Sequence, residues 1–315
     1  MDAVTGGEDK KSAAYHSRAR QLWARYEDDE DVEDVEPNPN WSGFIDWLIS
    51  IRATLRPASW RQYRAAVVHR MEQQHVPDRH ELHARLMAFV NLPDRKTLPA
   101  RTSSARCKSL SDADLRALIQ HLGAQDGIWD RIAGQWLVFG GITGLRPGEW
   151  QSVRARPNED EMILYVKNSK HDAVRAHGPE RTLHVRASHS LQRNLLTFIQ
   201  SIQSEDFDDV YEGCRNALWR ATKALWPRRK KQISLYSARH QFAADAKSAG
   251  LMPEMIAALM GHAVTETHQT HYGKRRSGHG RVMVEAEPSE VMRVAERMQQ
   301  KTSKASSGVG AMAHW

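Results

Sequence analysis

Residues 234–273 read SLYSARHQFAADAKSAGLMPEMIAALMGHAVTETHQTHYG. Their small and apolar residues recur at helical spacing and are broken by glycines and polar clusters, which predicts short helices joined by turns. Onto those helices the stretch loads Arg239, a histidine behind a glycine (Gly261-His262) and Tyr272. About ninety residues upstream, residues 141–153, GITGLRPGEWQSV, present Arg146 at a loop-to-helix junction.

These side chains suit one chemistry. A phosphodiester under attack gathers negative charge on the oxygens of a five-coordinate phosphorus, and a planar guanidinium grips two such oxygens at once. Two arginines and a histidine donor supply the electrostatic stabilisation that a metal supplies elsewhere, roughly 3 kcal/mol of barrier for each fixed donor. A tyrosine with a pKa near 10 becomes a nucleophile once neighbouring cations favour its phenolate. The phosphotyrosine so formed keeps the bond energy, and the strand can be rejoined without ATP.

The ordered motifs T-G-L-R-x-G-E, R-H-x-F-A and L-x-G-H, followed by a tyrosine, resemble the tyrosine recombinase (phage integrase) family over about residues 105–290. The resemblance places Arg146 and Arg239 on the two arginines, His262 on the histidine-or-tryptophan position and Tyr272 on the nucleophile. It also implies a hairpin lysine as general acid to the leaving 5′ oxygen. In MILYVKNSKHDAVRAHGPERTLHV (residues 162–185) the best match is Lys170, with Lys167 as the rival. Two positions depart from the pattern. Tyr236 stands where the family usually has histidine or lysine, and a phenol there can still donate a hydrogen bond to phosphate. Tyr272 follows His262 by ten residues, one more than the commoner spacing.

Length and composition fit this reading. A chain of 315 residues, 40% hydrophobic and 26% charged, is long enough for two globular domains. No apolar run approaches the roughly 20 residues that span a bilayer, and the N-terminal MDAVTGGEDKKS lacks a signal-peptide core. Two cysteines, Cys107 and Cys214, offer neither a disulfide framework nor a zinc quartet, which predicts a cytoplasmic protein, nucleoid-associated when on DNA. The net charge of +7 conceals an acidic run (Glu27, Asp28, Asp29, Glu30, Asp31, Glu33, Asp34, Glu36), and the remainder is eight charges more positive than the whole. A basic body suits a polyanionic partner such as double-stranded DNA.

The expected fold is mainly α with a small β-hairpin or sheet. Residues 1–40 read as an N-terminal segment, disordered to about residue 12, then a short amphipathic helix bearing Leu22, Trp23 and Tyr26, then an acidic linker. Residues 41–95 read as a small helical domain, resembling the family's core-binding domain. Its helices carry Trp41, Phe44, Ile45 and Leu48, then Tyr63, Ala66, Val67 and Met71 behind a Ser59 cap, then Leu82, Leu86 and Phe89. Arg56, Arg61, Arg64 and Arg70 are interleaved with the second of these and are candidate DNA-backbone contacts, the plainer reading being a solvated face. Residues 96–109 form a basic linker, and residues 110–300 a catalytic domain with a tail helix opening at Pro288; residues 301–315 read as a frayed end. Within it, Ser111 opens a helix with Leu115, Leu118, Ile119 and Leu122 inward, and Glu149 is placed to contact a helix N-terminus or an arginine. Arg228, Arg229, Lys230 and Lys231 are further candidate DNA contacts.

The resemblance implies a homo-oligomer, a tetramer on paired DNA sites with tail-helix exchange, and accessory DNA-bending proteins. Packing of the tail helix on its own domain is the other reading. His262, His268 and His271 have no suitably spaced cysteine or carboxylate around them, so no metal and no cofactor is expected. The competing classes are a non-catalytic DNA-binding regulator, since residues 242–262 also have helix-turn-helix spacing, and a single-strand nuclease or topoisomerase.

Overall fold

The computed structural model describes residues 5–29, 40–88, 106–168, 178–266, 269 and 272–309. Spatial proximity divides the chain into two units, residues 1–101 and 102–315. The first is helical: α1 (Thr5–Asp29), α2 (Trp41–Ser50), α3 (Pro57–Gln73) and α4 (Arg79–Ala88). Phe44, Ile45 and Leu48 from α2, Val67 and Met71 from α3, and Leu82 and Leu86 from α4 bury into one core. Leu22 and Tyr26 of α1 belong to that same core.

Two expectations for this unit are corrected. The N-terminal helix begins at Thr5 rather than near residue 13, and runs through Glu27, Asp28 and Asp29. Once the Leu22–Tyr26 face is docked, each added helical residue gains a hydrogen bond without a new nucleation cost. Ser59 caps nothing, because α3 starts at Pro57 with Arg56 in the N-cap position. Arg70 is half-buried with its guanidinium 5.7 Å over the Trp23 ring, so its stem and head pack against α1. Phe89, Glu30, Asp31, Glu33, Asp34, Glu36 and most of the 96–109 linker lie outside the described residues.

The second unit contains α5 (Asp112–Gly123), α6 (Ile128–Thr143), a 3-10 turn (Pro147–Ser152), β1 (Arg154–Pro157), β2 (Glu161–Lys167), β3 (Glu180–Arg186), α7 (His189–Gln203), α8 (Phe207–Leu225), α9 (Leu235–Ser248), α10 (Pro253–Leu259), β4 (Val284–Ala286) and α11 (Pro288–Val309). The strands form one antiparallel sheet in the order β1-β2-β3-β4. Trp136, Phe139, Trp150, Phe198 and Phe242 anchor its core. Ser111 caps α5 by accepting from the Asp114 amide, but Ile119 is exposed instead of inward. α11 continues to Val309, past the expected fraying point at residue 301. Val294 is its buried anchor, and Met292 is exposed. No helix among the described residues is long and apolar enough to cross a membrane.

Two close approaches position the site. At Gly140 on α6 a Cβ would lie 3.0 Å from the Ala238 Cβ, so the glycine lets α9 pack tightly across α6. Gly144 then ends α6 with φ 69°, a conformation glycine adopts without steric cost, and a Cβ there would enter the Phe242 ring. The turn throws the chain back across α9, carrying Arg146 towards Arg239.

Candidate active site

Arg146 precedes Pro147, whose fixed φ starts the 3-10 turn. Glu149, in that turn, reaches back: its Oε2 accepts from the Arg146 amide at 2.8 Å and its Oε1 from Arg146 Nη1 at 2.6 Å. Arg181 grips the same carboxylate from β3, with Nη2 2.7 Å from Oε2 and Nη1 3.2 Å from Oε1. Arg239 Nη1 stands 4.0 Å from Oε2. Burial pushes the Glu149 carboxyl up, but Arg181, Arg239 and Arg146 outweigh it and hold the group at about 2. Three guanidiniums thus converge on one buried carboxylate, and the cluster carries excess positive charge.

Arg239 is fully buried at the start of α9. It donates from Nη1 to the Gly144 carbonyl, from Nη2 to the Met260 carbonyl at 2.7 Å, and from Nε to the Tyr272 hydroxyl at 3.2 Å. Its Nη2 also lies 3.0 Å from His262 Nε2. A guanidinium only donates, so Nε2 accepts in that pair and the His262 proton sits on Nδ1.

Tyr272 is half-buried, its ring 5.2 Å under the Arg239 guanidinium carbon. The Tyr236 hydroxyl is 2.7 Å from the Tyr272 hydroxyl. Burial pushes the Tyr272 phenol up, but Arg239, the hydrogen bonds from Tyr236 and Arg239, and Arg146 bring it below its ordinary value. Tyr236 moves the other way, to about 12: burial raises it and Arg239 opposes, while the charge of Tyr272 raises it further. His240, its ring centroid 5.0 Å from that of Tyr272, is driven down to about 4 by burial and by Lys108, Arg239 and Lys247, and is neutral at pH 7.

The structure therefore brings Arg146, Tyr236, Arg239, His262 and Tyr272 together. Lys170 lies outside the described residues, as do His268 and His271; the rival Lys167 is exposed at the end of β2. Arg228, Lys230 and Lys231 are exposed, whereas Arg229 pairs with Asp114 at 2.6 Å and stacks 4.4 Å from the Trp226 ring centroid. On α3, Arg61 is exposed and Arg56 and Arg64 are half-buried. Sequence reasoning missed Arg181. The signal was present: Arg181 shares its strand parity with Leu183 and Val185, and all three point inward.

No protein-family model matches this chain, and no curated protein matches its sequence. Solved structures do resemble it. The XerH site-specific recombinase bound to difH substrate, in a pre-cleavage complex, matches with 13% identity and a TM-score of 0.46, over 80% of this chain and 73% of that one. A lambda integrase dimer bound to a COC′ core site matches with 14% identity and a TM-score of 0.42, over 84% and 81%. The Tn1549 transposon integrase in complex with a circular intermediate DNA matches with 13% identity and a TM-score of 0.40, over 80% and 94%.

Proposed function

We propose that this protein cleaves and rejoins double-stranded DNA at specific sites through a 3′-phosphotyrosyl intermediate, as the recombinase or integrase of a phage or other mobile element. The observation that carries the reading is the Tyr272 oxygen. It sits 3.2 Å from Arg239 Nε, and the same guanidinium reaches His262 while Arg146 is tied into the cluster through Glu149. A phenol surrounded by fixed cations is an activated oxygen nucleophile, and the spare positive charge fits a phosphate.

In this mechanism Tyr272 gives its phenol proton to water and attacks the scissile phosphorus as the phenolate, the bond from phosphorus to the 5′ oxygen breaks, and Lys170 gives that oxygen its proton. Arg146, Arg239 and His262 hold the non-bridging oxygens, with Tyr236 beside them. Attack by a 5′ hydroxyl on the phosphotyrosine reverses the step with a new strand. Arg56, Arg61 and Arg64, with Arg228, Lys230 and Lys231, supply backbone contacts to the duplex. A tetramer on paired sites, assisted by DNA-bending proteins, completes the exchange.

A duplex nicked beside the cleavage site tests this, because the short leaving strand diffuses away and traps the adduct. DNA from the ends of the source element should become linked to Tyr272, and Tyr272→Phe should bind the same DNA without an adduct. A covalent adduct on the phenylalanine variant, or none on the native protein, would refute the reading.

A further inference from the structure

Arg181 bonds Glu149, Asn168 and the backbone of α10, and it is buried. Its side chain is 0% exposed, as is that of Glu149. Its fork takes both oxygens of Glu149, whose remaining capacity goes to the amide and Nη1 of Arg146. Its Nε donates at 3.1 Å to the carbonyl of Leu259, the last residue of α10, two residues before Gly261-His262. Its Nη1 also donates to the Asn168 side-chain oxygen. Asn168 in turn donates its amide to the Pro179 carbonyl and its Nδ2 to the Gly178 carbonyl, both at 2.8 Å, closing the base of the β2–β3 connection that carries Lys170. Gly261 leaves the space: with φ 61°, a Cβ there would lie 2.7 Å from Arg181 Nη1.

We propose that Arg181 is a positioning residue, which neutralises Glu149 and fixes it as the lever that aims the Arg146 guanidinium. The inference rests on the reading of Tyr272 as a nucleophile on phosphate. Its physical basis is competition for charge. Glu149 faces Arg146 from its own turn, Arg181 from β3 and Arg239 from α9, with the two phenols beyond them. With Arg181 satisfying both oxygens, Arg239 stays 4.0 Å away and keeps its Nε on Tyr272. Without Arg181, an uncompensated carboxylate draws Arg146 and Arg239 onto itself and away from the phosphate.

The test is single-turnover adduct formation on the nicked duplex, with duplex affinity measured alongside, for the full chain and for Arg181→Gln, Arg181→Lys and Glu149→Gln/Arg181→Gln. Arg181→Gln should react about 100-fold more slowly, with affinity within about twofold of native. Its rate relative to native should recover as pH falls, because protonation of Glu149 removes the stray charge. The double variant should be about tenfold faster than Arg181→Gln and show no such recovery. A wild-type rate for Arg181→Gln, or a double variant no faster than the single one with a flat relative pH profile, would overturn the inference. If Arg181→Gln does not fold, Arg181→Lys decides. Charge without the fork should still cost about tenfold in rate at unchanged affinity, and a native rate would sink the idea. Failure of the native protein to form the Tyr272 adduct would instead refute the underlying reading, so the two failures are separate.

Discussion

The hydroxyl oxygens of Tyr236 and Tyr272 lie 2.7 Å apart, and the Tyr272 oxygen receives in addition the Nε–H of Arg239 at 3.2 Å. This asymmetry decides which phenol ionises. With two donors aimed at it, Tyr272 is the member held below its ordinary pKa, and Tyr236, pushed up to about 12, keeps its proton and donates it as a hydrogen bond. Tyr236→Phe removes that donor. A hydrogen bond to a charged group is worth about 1.5–3 kcal/mol, which corresponds to about one to two pH units. The rise of adduct formation with pH should therefore move to higher pH by that amount, and the first phenolate absorbance in a pH titration of the protein should move with it. An unmoved profile would remove Tyr236 from the nucleophile's activation.

Arg239 spends its guanidinium on three carbonyl or hydroxyl oxygens and an imidazole. An ammonium is a point donor and cannot meet Gly144, Met260 and Tyr272 in their fixed plane. Arg239→Lys should leave a buried carbonyl unsatisfied, at a cost of about 1–3 kcal/mol, and lower adduct formation by about three orders of magnitude. Urea unfolding and single-turnover kinetics measure the two losses, and a lysine variant of native stability would contradict the geometry.

Gly261 joins α10 to His262 with φ 61°. A Cβ there would sit 2.5 Å from Asn168 Oδ1 and 2.7 Å from Arg181 Nη1. Gly261→Ala therefore adds the left-handed backbone cost of about 1–2 kcal/mol to displacement of a buried ion-pair frame. We expect a loss of at least about 2 kcal/mol in stability and of most adduct formation, whereas Gly123→Ala, where a Cβ meets nothing within 4 Å, should be near neutral. Equal effects at the two glycines would argue against the Arg181–Asn168 contact.

What was legible in the sequence follows from where side-chain pattern dictates structure. Trp41, Phe44, Ile45 and Leu48 announce α2 because burial needs that spacing, and Gly144, Pro147 and Glu149 announce the turn at Arg146 through backbone rules. β1, with the sequence RARP, has no apolar alternation and is a strand because β2 pairs with it. β4 does alternate, Val284 and Ala286 inward around Glu285, but three residues are too few to be read. The outward extent of α1 and α11 was hidden because the added stretches, TGGEDKKS and KTSKASSGV, carry no apolar periodicity. In the site, Arg146, Arg239, His262 and Tyr272 stood out by residue type and order. Arg181 shares the inward parity of Leu183 and Val185, but parity does not say which carboxylate it meets, and Glu149 lies 32 residues away in the sequence.

The tract at residues 228–231 separates by what each side chain touches. Arg228, Lys230 and Lys231 are exposed, while Arg229 is spent on Asp114 and on the Trp226 ring. Each phosphate neutralised by a side chain releases counterions and adds about 0.9 to the slope of log affinity against log salt. Replacing Arg228, Lys230 and Lys231 together by alanine should flatten that slope by up to about 3 and weaken binding most at low salt. Arg229→Ala should leave the slope unchanged and instead lower stability by about 1 kcal/mol, since its ion pair is only partly shielded from water. Titrations of duplex binding at several salt concentrations, beside urea unfolding, distinguish the two. A slope that falls for Arg229→Ala and not for the triple variant would reverse the assignment and make Arg229 the phosphate contact of this segment.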